Sequence, residues 1–559
     1  HGHADGRGGG QGAEWVGQDR APAVRLVCPA LALASSTRPG AMPSSLPRQT
    51  SVLVVGAGPT GLLLAGELQR RGVPNLLIDA RAEALHWDRA TVIHPLSLEI
   101  FEALGLVDRF LEAGCRQRRI LIHADGRRLG DLDLATCGSR FGFNLGLSEE
   151  VTETILTDHL ESQGGTVHRS CRLVALAPHG EGVTATVACG EQEHAVQARW
   201  LVGCDGLRST TRALSGLDFE GHGIARPWAV FDAVVEGWAE SHEVNAAYLD
   251  ASPLILTALT DERWRVYLRP AAEEGDLVAE AAAVLGRYLP EARFSAVENP
   301  SRFHCHSRVA SAFRAGPVFL AGDAAHVCSP AEGHGMNCGL HDAANLAWKL
   351  ALVHQGSADP ALLDSYEQER RPVAQEICRS GDATEQAHGL QDSAERAARD
   401  RAIAAMLANP VARQQEVVAE TEMNVSYAGS AIIGAGEGQP FGAGQRLPTT
   451  IALPPGAGAP LLHQLTHRSG HTLLLLAGPE LSPEALSSLQ AELEADLAAG
   501  TVPPALVEAV VAVQLEEAPR LGLGPLTLLA VRPDGFIGLR ADADHRSAVR
   551  RYGGLVLGR

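Results

Sequence analysis

The sequence predicts an α/β protein: a Rossmann-like parallel sheet, an antiparallel sheet inserted into it, and a small separate α/β domain at the end. Three observations predict this. Residues 51–79 read in order as strand, glycine turn, helix, strand and acid. From Pro227 to about Arg302, short runs alternate apolar and polar residues, as strands of an antiparallel sheet do. Residues 460–559 alternate apolar runs with helical spacing, after a Gly- and Pro-rich linker at 428–459.

The first stretch is the most informative. Val52 to Val55 is a β-branched run suited to a buried parallel strand. Gly56, Gly58 and Gly61 follow with Gly-x-Gly-x-x-Gly spacing, and Leu62 to Arg71 reads as a helix stopped by Gly72 and Pro74. Leu76 to Ile78 is a second strand, ending in Asp79, 18 residues after the last glycine. Gly56 suits the tight turn, Gly58 the approach of a pyrophosphate, and Gly61 close packing of helix on strand. The helix N-terminus offers unpaired N–H groups to phosphates, and the Asp79 carboxylate suits ribose hydroxyls. A lone glycine pattern is weak evidence. With both strands, the helix and the acid in place, it predicts a dinucleotide site.

A chain of 559 residues is too long for one core and implies two or three domains. Its 45% apolar and 20% charged residues are those of a globular protein, and a net charge of −19 argues against nucleic acid and anionic membranes as partners. No stretch is long and apolar enough to span a bilayer. The ten cysteines are scattered, without Cys-x-x-Cys or another metal-binding spacing. That predicts reduced thiols, no metal site and a cytoplasmic protein. Lys349 is the only lysine. Residues 1–47, rich in Gly, Arg, Pro and Ser, read as a disordered leader or as upstream sequence ahead of Met42.

After Asp79 a polar loop runs to Arg89, a candidate partner for a pyrophosphate. Residues 119–134 alternate around Asp125-Gly126 and predict a hairpin. Leu147 to Leu160 predicts a helix with Thr152 and Glu153 on its polar side, and Val167–Val174 and Val183–Cys189 predict strands. In a second informative stretch, the run from Trp200 enters Cys204-Asp205-Gly206, with Arg208, Ser209 and Arg212 beyond; an acid and glycine at a strand end suit close ligand contact. The predicted antiparallel sheet carries Trp228, Phe231, Tyr248, Trp264 and Tyr267. Core packing explains these aromatics first; a flat wall for an aromatic ligand is the alternative. The third stretch runs from Val318 through Gly322-Asp323-Ala-Ala-His326 and a loop holding Pro330, Gly333 and Gly335 to a helix beginning near Asn337. His326 fits a packing role better than that of a base. In the last domain, strands are predicted at Thr472–Ala477, Thr527–Val531 and Gly535–Leu539, with helices at Pro483–Leu497 and Pro504–Val513. The domain has no cysteine, which excludes thiol-disulfide chemistry there.

The stretches Gly56–Gly61, Cys204–Arg212 and Gly322–Leu350, in this order, resemble the motifs of the FAD-dependent aromatic hydroxylases, single-component flavoprotein monooxygenases. The group includes p-hydroxybenzoate, phenol and polyketide hydroxylases. The resemblance covers 48–395. It implies an FAD-binding domain in segments 48–90, 142–215 and 302–395, and a substrate-binding sheet from 91–141 and 216–301. Helices and a linker over 396–459 and a thioredoxin-like domain without redox cysteines over 460–559 complete the layout. By the same resemblance Gly56, Gly58, Gly61 and Asp79 hold the ADP half of FAD, with Arg89 near it. Asp205 and Gly206 serve FAD and a transient NADPH or NADH; Gly322 belongs to the cofactor site and Asp323 meets the ribityl chain; Gly335, Met336 and Asn337 offer backbone to the flavin ring.

The implied reaction is hydroxylation of a phenolic or polycyclic aromatic molecule with NAD(P)H and O2, by way of a C4a-hydroperoxyflavin. A related FAD halogenase or reductase, or a flavin- and aromatic-binding protein that does not hydroxylate, are the alternatives. A homodimer is compatible with the family. The sequence does not identify the group that activates the phenol: Arg265, Tyr248, Tyr267, His222, His304 and Pro330 are the candidates. Glu149, Leu96, Glu332 and His334 depart from the family pattern.

Overall fold

Three strand ends decide where a ligand can sit. The computed structural model describes residues 46–84, 90–260, 262–272 and 274–558. The predicted leader and Arg89 therefore lie outside the described residues, apart from the leader's last two. In an eight-stranded sheet, Gln49–Val55 runs parallel to Gln192–Gly203 on one side and to Asn75–Ile78 on the other. Val318–Leu320 runs parallel on the far side of Gln192–Gly203. The register sets Val55 beside Gly203 and Gly203 beside Leu320. All three motifs therefore leave the sheet at its carboxyl edge, where a reversal of strand order opens a crevice.

The period of two divides the central strand. Val52 and Val54 face a core shared with Leu62, Leu346 and the helices Pro59–Arg70, Glu149–Ser162 and His334–His354. Leu53 and Val55 face Leu173 and Val187, from strands Cys171–His179 and Gly182–Cys189. Those strands set Cys171 opposite Cys189, and the two are joined by a disulfide. This corrects the expectation of reduced thiols throughout. The hairpin register brings the two together, which scattered positions in sequence do not reveal. Seven other cysteines among the described residues are free.

The second sheet has seven strands, in the order Arg293–Phe303, Trp228–Glu236, Arg263–Leu268, Leu254–Ala258, Val244–Tyr248, Arg119–Ala124 and Arg127–Asp133. It is not wholly antiparallel, since Val244–Tyr248 runs parallel to Arg119–Ala124. The latter comes from far earlier in the chain, so no tight turn obliges the pair to reverse. Alternation splits the aromatics between faces. Phe231, Tyr248 and Trp264 pack in a closed core with the helix Leu277–Gly286, whereas Trp228 and Tyr267 cluster with Phe303 on the other face.

The last sheet orders Val507–Gln514, His471–Ala477, Leu526–Val531 and Ile537–Ala541. The helix expected at Pro504–Val513 is the strand Val507–Gln514, as its run of valines favours. The helix His545–Leu557 was not predicted. Leu473 and Leu475 enter the main core, and Leu474 and Leu476 a core of their own. A buried ion cluster ties this sheet down. Glu369 receives Arg532 at 2.7 and 2.8 Å and Lys349 at 2.7 Å, all three side chains being inaccessible. Among the described residues, no helix is long and apolar enough to cross a membrane.

Candidate active site

One cavity of about 1150 Å³ opens above the carboxyl edge. Gly56, Gly58, Asp79 and Arg81 line one end; Asp205, Gly206, Arg208 and Asp323 line the middle; Trp228, Tyr267, Thr257, Pro330 and Gly335 line the far end.

The glycines at the near end do different work. Gly56 has φ +105, and a Cβ there would stand 2.2 Å from the Cys204 carbonyl oxygen. A Cβ on Gly61 would stand 1.9 Å from the Gly56 carbonyl oxygen. These two allow the turn, the helix and the second motif to close on one another. At Gly58 the nearest such atom is Glu153 Oε1, 3.9 Å away, so space is left where a ligand needs it. Gly58 is also the N-cap of the Pro59–Arg70 helix and no side chain caps it. Its open N–H groups and positive dipole end suit an anion.

Asp79 ties the second strand to the turn. Its Oδ2 accepts from Ala57 N at 2.8 Å and its Oδ1 from Arg81 N at 2.8 Å. Burial raises its pKa, but these donors and the Arg81 guanidinium outweigh it and hold the carboxyl below its ordinary value. Arg81 also lies 3.8 Å from Glu153. It supplies positive charge beside Glu149 and Glu153, both on the cavity wall. Thr152 and Glu153, expected on a polar face, are buried.

In the middle, the Asp205 carboxylate caps the short helix after it, accepting from Thr211 N at 2.9 Å and from the Ser209 hydroxyl. The backbone thus presents Gly206, φ +79, with open space where a Cβ would be. Arg212 donates to the Ala324 carbonyl at 2.8 Å and so joins the second motif to the third. Gly322 does not line the cavity; it packs on Thr60, whose Oγ1 a Cβ would meet at 2.6 Å. Asp323 does line it.

The third helix begins at His334, three residues before the expected start, because Gly333 with φ +70 forms its N-cap. Gly335 and Met336 line the cavity, but Asn337 does not. Its Nδ2 donates to the Val92 and Gly333 carbonyls at 2.9 Å, and its Oδ1 accepts from His94 N and Ser97 Oγ at 2.9 and 2.8 Å. The residue clamps the loop to the segment that follows Ala90.

The candidates for phenol activation divide sharply. Tyr267 lines the cavity with its hydroxyl 3.1 Å from Thr91 Oγ1, and His304 and Pro330 line it too. Arg265 does not; it forms a buried two-point pair with Asp232 at 2.6 and 3.0 Å. Tyr248 lies on the opposite sheet face, stacked on His123 at 4.9 Å. His222 is exposed, 3.6 Å from Asp382. His326 packs as expected, with Nε2 2.7 Å from Asp342 Oδ2. Sequence reasoning passed over Arg81, Thr384, Glu416 and Glu420, which also line the cavity. The last three sit on helices that carry no motif, and helical spacing alone does not tell which body a face meets.

Fold and site together define a protein that holds a dinucleotide-type cofactor at the edge of a parallel sheet, with a second sheet walling the far end. A family model described as FAD binding domain matches residues 49–380. The chain is 36% identical over 332 residues to a 6-methylpretetramide 4-monooxygenase of Streptomyces rimosus, covering 58% of this chain and 59% of that protein. It is 35% identical over 344 residues to a rifampicin monooxygenase of Streptomyces venezuelae, covering 58% and 69%. A pentachlorophenol 4-monooxygenase of Sphingobium chlorophenolicum is 31% identical over 353 residues, covering 60% and 65%. The match thus spans less than two thirds of the first of these relatives. Among solved structures, the anhydrotetracycline hydroxylase OxyS of Streptomyces rimosus superposes with a TM-score of 0.71 at 29% identity, over 90% of this chain and 99% of that one. The flavin-dependent monooxygenase PieE shares the fold, with a TM-score of 0.73 at 22% identity over 91% and 99%. The chain belongs to the FAD binding domain family, in the group of FAD-dependent aromatic monooxygenases that these relatives represent.

The residues present fit FAD: an uncapped helix end, a glycine with room in front of it, and a cavity long enough to continue past them. Gly58→Val fills that room without touching the packing glycines. It is expected to leave thermal stability within about 1 kcal/mol and to weaken FAD binding about tenfold or more, through forced contact. Fluorescence titration of the apoprotein with FAD checks this, and unchanged affinity would exclude a ligand approaching at Gly58.

Proposed function

We propose that the protein is an FAD-dependent monooxygenase that hydroxylates a phenolic or polycyclic aromatic molecule, using O2 and electrons from NADPH or NADH. The observation that carries the reading is the single cavity running from the glycine turn to the apolar wall of the second sheet. The relatives' named activities, on a pretetramide, rifampicin and a chlorophenol, support the substrate class.

In this reading the Gly56–Gly61 turn and the helix N-terminus hold the pyrophosphate. Asp79 and Arg81 serve the ADP end, Asp205, Gly206 and Asp323 the middle, and the backbone at Gly335 and Met336 the ring. The chemistry supplied by bound FAD is activation of O2 with nicotinamide electrons, one oxygen atom going to the aromatic ring and the other to water. The chain's part is to bind, orient and keep water out. Trp228, Tyr267 and Phe303 give an apolar wall, and Thr257 and Asn245 give polar points on it. The sequence has no second strand–glycine–helix motif, so the nicotinamide is read as a visitor to the same cleft. The last hundred residues are read as a thioredoxin-like domain with a packing role, and the enzyme as cytoplasmic.

The test is to purify the protein, record the flavin spectrum, and follow NADPH and NADH oxidation with a panel of phenols while weighing the products. A bound flavin and a product heavier by one oxygen atom are expected. Protein without flavin, or oxidation that no phenol stimulates, would overturn the reading.

A further inference from the structure

The face of the seven-stranded sheet that meets the cavity is ordered in rows. In one row Ile122 pairs with Ala247, Ala247 with Ile255, and Ile255 with Tyr267. All four line the cavity, as an apolar strip closed by the tyrosine ring. Two residues along each strand the side chains return to the same face. There Ile120 pairs with Asn245, and Thr257 with Arg265. Ile120, Asn245 and Thr257 line the cavity as well. The wall therefore turns from apolar to polar within about 7 Å, the rise of two strand residues. A fused aromatic ring lying on the strip reaches the polar row with its substituents.

The backbone fixes which way the Asn245 amide points. Its Oδ1 accepts from the Ala258 N–H at 2.9 Å. A backbone N–H only donates, so the oxygen is the held end and the NH2 group the free one. Gln117 Nε2 donates to the Ala258 carbonyl at 2.7 Å and holds that residue from its other side. Asn245 Nδ2 has no acceptor among the described residues, and it is not sealed from solvent as Gln117 Oε1 is. With Asn245 only 4% exposed, this donor is nearly dry. A buried donor left unpaired costs free energy that a ligand's acceptor recovers. Its neighbours decide the charge of that acceptor. The Thr257 hydroxyl donates to the Arg265 carbonyl at 3.3 Å. The Arg265 guanidinium, next in the row, is neutralised by Asp232 at 2.6 and 3.0 Å. A carboxylate placed here would be a buried charge facing an uncharged donor, which is costly. A neutral carbonyl oxygen meets the same donor without that cost.

We propose that Asn245 Nδ2 donates to a carbonyl oxygen of the aromatic substrate, so that the cavity selects polycyclic ketones over ring systems without such an oxygen. This rests on the aromatic hydroxylase reading and narrows its substrate class. The apolar row supplies affinity for the rings. The single amide donor sets how they lie on it, because only one placement on the strip brings the oxygen to Nδ2.

The probes are 2-acetylnaphthalene and 2-isopropenylnaphthalene, in which a CH2 group replaces the carbonyl oxygen and the shape is kept. Their dissociation constants are measured by equilibrium dialysis against flavin-loaded protein, without turnover. The ratio of the two constants is the readout, because general loosening of the cavity weakens both ligands alike. Asn245→Leu keeps the bulk of the side chain and removes the donor. It is expected to retain its flavin and to shift the ratio against the ketone by about fivefold or more, the margin of one hydrogen bond. If Asn245→Leu does not fold, Asn245→Asp carries the same criterion. It keeps an oxygen for the Ala258 N–H and, ionised at about pH 9, sets a second oxygen where the NH2 group stood. A variant whose ratio stays within about twofold of the wild type, or a wild type that binds neither probe, overturns the proposal. Wild type that purifies without flavin would instead overturn the hydroxylase reading, so the two failures are distinguishable.

Discussion

Gly61→Ala is expected to purify as a colourless, unstable protein. The added methyl group would stand 1.9 Å from the Gly56 carbonyl oxygen and 3.1 Å from its carbonyl carbon, and backbone does not swing aside as a side chain does. Relief requires the helix Pro59–Arg70 to move off the first strand. That shift opens the contact between the first two motifs, since Cys204 Cβ also lies 3.3 Å from the new atom. Overpacking of this kind costs about 3 kcal/mol or more. Unlike Gly58→Val, which is expected to stay folded, Gly61→Ala is expected to lose stability and flavin together. Thermal melts and the flavin absorbance of the purified protein read both. A yellow protein melting within a degree of the wild type would show that the turn tolerates a Cβ and that the close packing is not required.

The second large effect is expected at Glu369. Its carboxylate neutralises Lys349 and Arg532 inside the protein. Glu369→Ala leaves two cations buried with one acid, Asp534, between them. Breaking a buried ionic cluster by removing one partner costs about 3–5 kcal/mol, which urea unfolding of variant and wild type measures. The pH dependence follows the same charges. Burial raises the Glu369 pKa, but Arg532 and Lys349 prevail and hold it well below its ordinary value of 4.5. A depressed carboxylate stabilises fully above its unfolded pKa and loses that contribution as pH falls below it. The difference between wild type and Glu369→Ala is therefore expected to be flat near neutrality and to narrow below about pH 4.5. A difference under about 1 kcal/mol at neutral pH would mean that the cluster is neutral in sum, as some buried pairs are.

The three strand-end motifs were legible because each packs its geometry into a few consecutive residues. Gly56, Gly58 and Asp79 meet at the near end of the cavity, as the spacing requires. What sequence reasoning could not supply was facing. Tyr248 and Tyr267 look alike in an alternating strand, yet only the register decides that Tyr267 meets the cavity and Tyr248 the closed core. Arg265 shares the side of Tyr267 but is consumed by Asp232, a partner 33 residues away. Partners distant in the chain were the general blind spot. They include Cys171 with Cys189, Asn337 with Val92, and the helix bearing Glu416 and Glu420 against the third motif. The Val507–Gln514 strand was misread for a different reason: a short apolar run after proline fits helix and strand alike, and its β-branched residues decide the matter.

The buried cluster around Glu369 also bears on how this molecule can be handled. Lys349 is the sole lysine among 559 residues, and its side chain is wholly inaccessible. The folded surface therefore offers amine-directed reagents no lysine to react with, and its positive charge is carried by arginine. Cross-linkers, resins and dyes that couple through lysine are the wrong tools for it. An adduct on Lys349 records instead that the last sheet has come away from the helices beneath it, a reporter of partial opening that the sequence carries without any engineered label.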